Sequence, residues 1–205
     1  AEKFFNIKCR KSNLKPDGVV LVATIRALKM HGGVEKNNLG SENIDAVRKG
    51  FSNLARHVKN IKKFGLPVIV AINHFDADTD NEIKALDEEC RKISVDAVSC
   101  KHWSKGSDGT VELAQKVVDL VNEENNFNFL YEEKISLLEK IKIIAKEIYS
   151  ADDVLADKKI RDQLKQFEDE LCEYLDVEFI SLFNNHIPVK LFTCGSLRSR
   201  SRYYF

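Results

Sequence analysis

The chain has 205 residues, the size of one large domain or two small ones, and at that length roughly 70% of the unfolded surface can be buried in a core. Apolar residues make up 43% and charged residues 31%, which excludes a disordered or collagen-like chain. Lys plus Arg and Asp plus Glu are each 32, so the formal net charge is zero, which argues against a general nucleic-acid binder; no apolar run approaches the ~18 residues of a membrane span. The start at Ala1 has neither an initiator Met nor a signal-like apolar stretch, and reads as the interior of a longer chain. Five widely spaced cysteines without a CxxC pair predict reduced thiols and a cytoplasmic setting. Cys100 and His102 have no second ligand pair at finger spacing, so no metal site is expected.

The first predicted strand is Gly18 to Thr24, an apolar, β-branched run of the kind covered on both faces. The best helix follows, with Ile44, Val47, Phe51, Leu54, Val58 and Ile61 on one stripe, Ser41 as its cap, and Gly65 and Pro67 ending it. Pro67 to Ile72 is a second strand of the same type. Thr79 and Glu82 have capping-box spacing and start a second helix with Ile83, Leu86 and Cys90 inward. A weaker strand spans Val95 to Ser99, and a third helix runs from about Asp108 to Asn122 with Leu113, Ala114, Val117 and Val121 inward. Apolar strands alternating with amphipathic helices predict an α/β fold with a parallel βαβ sheet.

Beyond Phe127 the pattern becomes helical: residues 134–149, with Ile135, Leu138, Ile141, Ile144, Ala145 and Ile148 on one face, then a more polar helix over residues 157–170. The predicted organisation is an α/β part over residues 1–126, a helical segment over 127–170 and a divergent tail over 171–205. That tail holds 7 of the 18 aromatic residues and ends in an Arg/Ser run, so it is expected to be poorly ordered or packed outside the sheet.

In an open parallel sheet, ligands bind beyond the carboxyl ends of the strands. Arg26, Lys29, His31 and the Gly32–Gly33 pair follow the first strand, where an anion would be held; a solvated turn is the plainer reading. Asn73, Phe75 and Asp78 follow the second strand, and Trp103 follows the third in a loop rich in Gly, Ser and Lys. Asn73 and Asp78 are of the types that read bases in some P-loop nucleotide enzymes, but their spacing is different. Phe75 and Trp103 top strands expected to be neighbours, and two such rings could sandwich a flat heterocycle. A phosphate cradle of the form G-x-x-x-x-G-K-[ST] is missing from all nine glycines.

Several long stretches, KFFNIKCRKSNLKPDGVVLVATIRALKMHGGV, NIKKFGLPVIVAINHFDADTDNEI, HWSKGSDG and KIKIIAKEIYSADDV, closely resemble formate–tetrahydrofolate ligase, in order over residues 1–169. The resemblance implies a fold related to P-loop nucleotide enzymes. It also implies a homo-oligomeric ligase, helped by a monovalent cation, that joins formate to tetrahydrofolate using ATP with Mg through formyl phosphate. It implies that Phe75 and Trp103 grip the pterin, that Arg26, Lys29 and His31 lie near the nucleotide and formyl-phosphate crevice, and that Asn73 and Asp78 on the nucleotide side have supporting roles. Small-molecule substrates, with no nucleic-acid or membrane partner, follow from the same resemblance. The family's P-loop lies upstream of Ala1 in this comparison, and the likeness fades near Glu170. Three readings result: a piece of the ligase, a non-catalytic folate-binding fragment, or a nucleotide-binding module resting on Asn73 and Asp78.

Overall fold

The computed structural model describes residues 1–170 and 190–192. The chain forms two compact units, one spanning Pro16–Phe127 and one joining Ala1–Lys15 to the described residues from Asn128 onward. The first fifteen residues therefore group with the helical part and not with the sheet that follows them.

In the Pro16–Phe127 unit, β1 (Val19–Ala23), β2 (Val68–Asn73) and β3 (Ala97–Cys100) form a parallel sheet in the order β1-β2-β3. The register pairs Ala23 with Ile72 and Asn73 with Cys100, so the three carboxyl ends lie along one edge. Helices α1 (Ile25–His31), α2 (Ile44–Lys62) and α3 (Asp80–Lys92) pack in succession. A short α4 (His102–Lys105) and a 3₁₀ turn (Gly106–Thr110) lead into α5 (Val111–Val121).

The stripe on α2 is buried as its spacing requires: Val47, Phe51, Leu54, Val58 and Ile61 join the buried residues Val68 to Ile72 of β2 and Leu86 and Cys90 of α3. Three expectations need correction. The cap of α2 is Asn43, whose Oδ1 accepts from the Ala46 N–H at 2.9 Å; Ser41 lies outside the helix. The strand β1 is not covered on both faces, because Val20 and Val22 are exposed; it pairs only with β2 among the described residues. Of the residues expected inward on α5, Leu113 and Val117 are half-buried while Ala114 and Val121 are exposed. Helical spacing selects a face, but covering that face depends on a neighbour that spacing does not supply.

The helices α1 and α2 cross at backbone distance. A Cβ placed on Gly32 would lie 2.1 Å from the Ala46 carbonyl oxygen, and one on Gly50 would lie 2.0 Å from that of Leu28. Glycine at both positions lets the crossing close, and this sets where α1 stands against α2.

The other unit holds a π-helical turn (Phe4–Cys9), α6 (Leu137–Glu147), β4 (Asp153–Leu155), α7 (Lys158–Glu170) and β5 (Lys190–Phe192). Its core is Leu137, Ile141, Ala145, Ala151, Val154, Ile160 and Leu164. Arg10 ties the turn to the chain after residue 128: its guanidinium lies 4.0 Å from the Phe129 ring centroid and donates to the Tyr131 carbonyl at 2.5 Å. Of the tail over 171–205, only residues 190–192 are described; they pair antiparallel with β4. The expectation of disorder for the rest falls outside the described residues.

Candidate functional site

The carboxyl edge of the three-stranded sheet collects Asn73, Phe75, Asp78 and Trp103. Phe75 stands two residues beyond β2 and Trp103 is the second residue of α4, just beyond β3. Their ring centroids are 6.3 Å apart with the planes inclined by 37°. Phe75 is 39% exposed and Trp103 72%, so neither ring has folded into the core. Two exposed aromatics in contact beyond the strand ends form a stacking surface. Faces gripping a flat ring stand roughly 7 Å apart, so admitting one requires widening by about 1 Å and rotation toward parallel, within ordinary loop motion.

Local sequence explains why each ring stands there. Residues Phe75 to Asp78 make a tight turn in which the Asp78 N–H donates to the Phe75 carbonyl at 2.9 Å. The Asp78 carboxylate returns the link, accepting from the Phe75 N–H at 2.9 Å. On the other side, the Lys101 N–H donates to the Gly109 carbonyl at 3.0 Å and closes the loop that carries Trp103. A Cβ on Gly109 would come within 2.5 Å of the Lys101 carbonyl carbon and oxygen, and Gly106 has φ +57°, so both glycines are needed for this path.

The stretch after β1 is a helix, not the solvated turn that is the plainer reading of its sequence. Thr24 caps it, accepting from the Ala27 N–H at 3.1 Å, and Gly33 at φ +96° follows its end. The helix separates its three cationic candidates. Arg26 is exposed next to the carboxyl end of β1, and His31 is exposed five residues further on, ~8 Å along the axis. Lys29 points inward and is 1% exposed. Its ammonium lies 2.9 Å from Glu82 Oε1 and donates to the Ser41 carbonyl at 3.2 Å. Glu82, fully buried at the third position of α3, also accepts from the Asn43 N–H at 2.8 Å and the Thr79 N–H at 3.2 Å. Lys29 is thus engaged inside the protein. The capping box marks Glu82 in the sequence, but its second role as the counter-ion of Lys29 has no sequence signal.

Burial by itself would raise the Glu82 carboxyl; the hydrogen bonds from Lys29, Asn43 and Thr79 outweigh it and hold the group below the usual carboxylate range. A lowered native value stabilises the fold above the ordinary carboxylate pKa of ~4.3 and loses that contribution as pH falls through the native value. The stability difference between the parent and Glu82→Gln, measured by urea unfolding, is therefore expected to shrink steadily below about pH 4.5. A difference that stays constant down to about pH 3 would refute this account.

Asn73 ends β2, and its Oδ1 is buried with no hydrogen-bond partner among the described residues. His74 Nδ1 is 3.2 Å from Ser99 Oγ, joining the ends of β2 and β3. Burial, then the charge of Glu112, pushes the Cys100 thiol up at the end of β3. Among the described residues no three His, Cys, Asp or Glu side chains converge as metal ligands would. The carboxyl edge of the sheet therefore carries two aromatic rings in contact, and the exposed Arg26 stands in the first turn of α1 after β1.

Comparison with known proteins bears on this arrangement. A family model described as "Formate--tetrahydrofolate ligase" matches residues 1–180. The chain is 63% identical over 170 residues to the formate–tetrahydrofolate ligase of Pelagibacter ubique, covering 82% of this chain and 30% of that protein. It is 57% identical over 178 residues to the ligase of Sinorhizobium fredii, covering 86% of this chain and 32% of that one. The ligase of Rhizobium meliloti is 54% identical over 171 residues, covering 83% and 31%. The chain thus spans about 30% of the length of the curated relatives it matches. With a matched stretch that includes the whole parallel sheet, both aromatic loops and α1 to α7, the chain belongs to the formate–tetrahydrofolate ligase family.

Proposed function

We propose that this chain supplies the folate-gripping part of an ATP-dependent formate–tetrahydrofolate ligase of one-carbon metabolism. The observation that carries the reading is the exposed Phe75–Trp103 pair, 6.3 Å apart at the carboxyl edge of the sheet. In this reading the rings hold the pterin by stacking. Arg26, exposed beside the same edge, faces the anionic reactants, and His31 stands further out on the same helix. Lys29 acts from within by fixing α1, and Asn73 and Asp78 support the β2 loop.

In the proposed reaction, formate oxygen attacks the γ-phosphorus of ATP, ADP leaves, and the folate N10 attacks the formyl carbon with loss of phosphate. No phosphate cradle occurs in these 205 residues, and no phosphoryl-transfer step is assigned to them. The Mg²⁺ that accompanies ATP, the monovalent cation, the homo-oligomer and the cytoplasmic setting belong to the proposal through the family alone. No described helix is long and apolar enough to cross a membrane.

The test is a calorimetric titration of the chain with tetrahydrofolate. Phe75→Ala or Trp103→Ala is expected to weaken binding by ~1–3 kcal/mol, by analogy with aromatic–base stacking. Unchanged affinity in both variants sinks the pterin assignment. The missing cradle favours a second reading, a folate-binding fragment without catalysis of its own. ATP-dependent formation of 10-formyltetrahydrofolate by the purified chain would exclude that second reading.

A further inference from the structure

We infer that Asp78 is a positioning residue for folate binding, holding Phe75 at the height and angle that the stacking site requires; this rests on the reading of Phe75 and Trp103 as the pterin grip. The two bonds between Phe75 and Asp78 are reciprocal. The Asp78 N–H reaches the Phe75 carbonyl and the Asp78 Oδ2 accepts the Phe75 N–H, each at 2.9 Å, so both backbone groups of Phe75 are bound by one residue three positions on. The bond to the carboxylate is charge-assisted, the stronger kind.

The turn is anchored at both ends. Behind Phe75, the His74 N–H donates to the Cys100 carbonyl at 3.2 Å, and His74 Nδ1 meets Ser99. Beyond Asp78, Thr79 caps α3 and its N–H donates to the buried Glu82, which Lys29 holds. Within this run it is the Asp78 side chain that bonds the backbone of the aromatic residue itself. Phe75 is exposed and its ring meets Trp103 in a tilted contact, so the backbone sets the point and the Cα–Cβ direction from which the ring reaches Trp103. Without the carboxylate the turn keeps one backbone bond and samples other conformations. Affinity then falls by the fraction of molecules in which Phe75 still stands correctly.

The experiment compares the parent chain, Asp78→Ala, Asp78→Asn, Phe75→Ala and Trp103→Phe. Tetrahydrofolate affinity is measured by calorimetry, thermal midpoints are recorded alongside, and emission is followed from Trp103, the single tryptophan of the chain. Asp78→Ala is expected to weaken binding roughly tenfold and to shift the Trp103 emission, as a competent fraction near one tenth demands. Asp78→Asn keeps an acceptor oxygen for the Phe75 N–H and is expected to stay within about threefold of the parent. If Phe75→Ala weakens binding while Asp78→Ala binds as the parent does, even with a lowered thermal midpoint, Asp78 is merely structural and the inference is overturned with the pterin reading intact. If neither Phe75→Ala nor Trp103→Phe changes affinity, the pterin reading falls and takes this inference with it.

Discussion

Lys29→Met is expected to reduce the unfolding free energy by about 3–5 kcal/mol, because it leaves Glu82 as a buried charge without its cation. The pair is almost fully enclosed, 1% and 0% exposed, with 2.9 Å between Nζ and Oε1. Two backbone N–H groups still reach the carboxylate, so Glu82 remains partly satisfied, and the expected loss is largest at neutral pH where it is ionised. Because most domains have only ~5–15 kcal/mol in all, such a loss consumes a large share of the total. The double variant Lys29→Met with Glu82→Leu is expected to recover part of it, since removing both charges also removes the desolvation cost. Urea unfolding of the parent, the two single variants and the double variant gives the coupling directly. Additive losses in the two single variants would show that the pair is not coupled.

Gly50→Ala is expected to destabilise the chain by ~2–3 kcal/mol, opposite in sign to the usual effect in a helix. Glycine inside a helix normally costs about 1 kcal/mol relative to alanine, and Gly50 lies in the middle of α2. Here the new methyl would sit 2.0 Å from the Leu28 carbonyl oxygen and 2.8 Å from its carbon, so one helix backbone must move from the other. Pushing α1 away also strains the Lys29–Glu82 bond and displaces Arg26. Gly40→Ala is the control, because nothing lies within 4 Å of its added Cβ, and it should be close to neutral. A stabilised Gly50→Ala variant would mean that the helices part at little cost.

The three strands of the parallel sheet and the helices α2, α3 and α5 are legible in the sequence because their signals are local, whereas α1 reads there as a solvated turn. Alternation of apolar runs with a 3.6-residue stripe, the Thr79–Glu82 capping box and the Gly65–Pro67 stop each depend on neighbours in the chain. Phe75 and Trp103 are legible as a pair for the same reason: each follows a strand, and parallel strands bring their carboxyl ends to one edge. The family is legible from long runs of residues.

What the amino-acid order determined by itself is therefore most of the element types, the parallel α/β plan and the sheet edge at which Phe75 and Trp103 meet. Tertiary structure alone decided the rest. A lysine in an α-helix shows no local sign of whether it faces solvent or a carboxylate 53 positions away, and packing turned Lys29 inward to Glu82. The exposed faces of β1 and α5 carry the same apolar pattern as buried ones, and only the presence or lack of a covering neighbour distinguishes them. The Asp78 carboxylate became a clamp on Phe75 because a turn of four residues brought it back over that N–H. For Lys29, β1 and α5 the deciding neighbour is brought by the fold and not by spacing along the chain, whereas the Asp78 bond is local and closed by its turn.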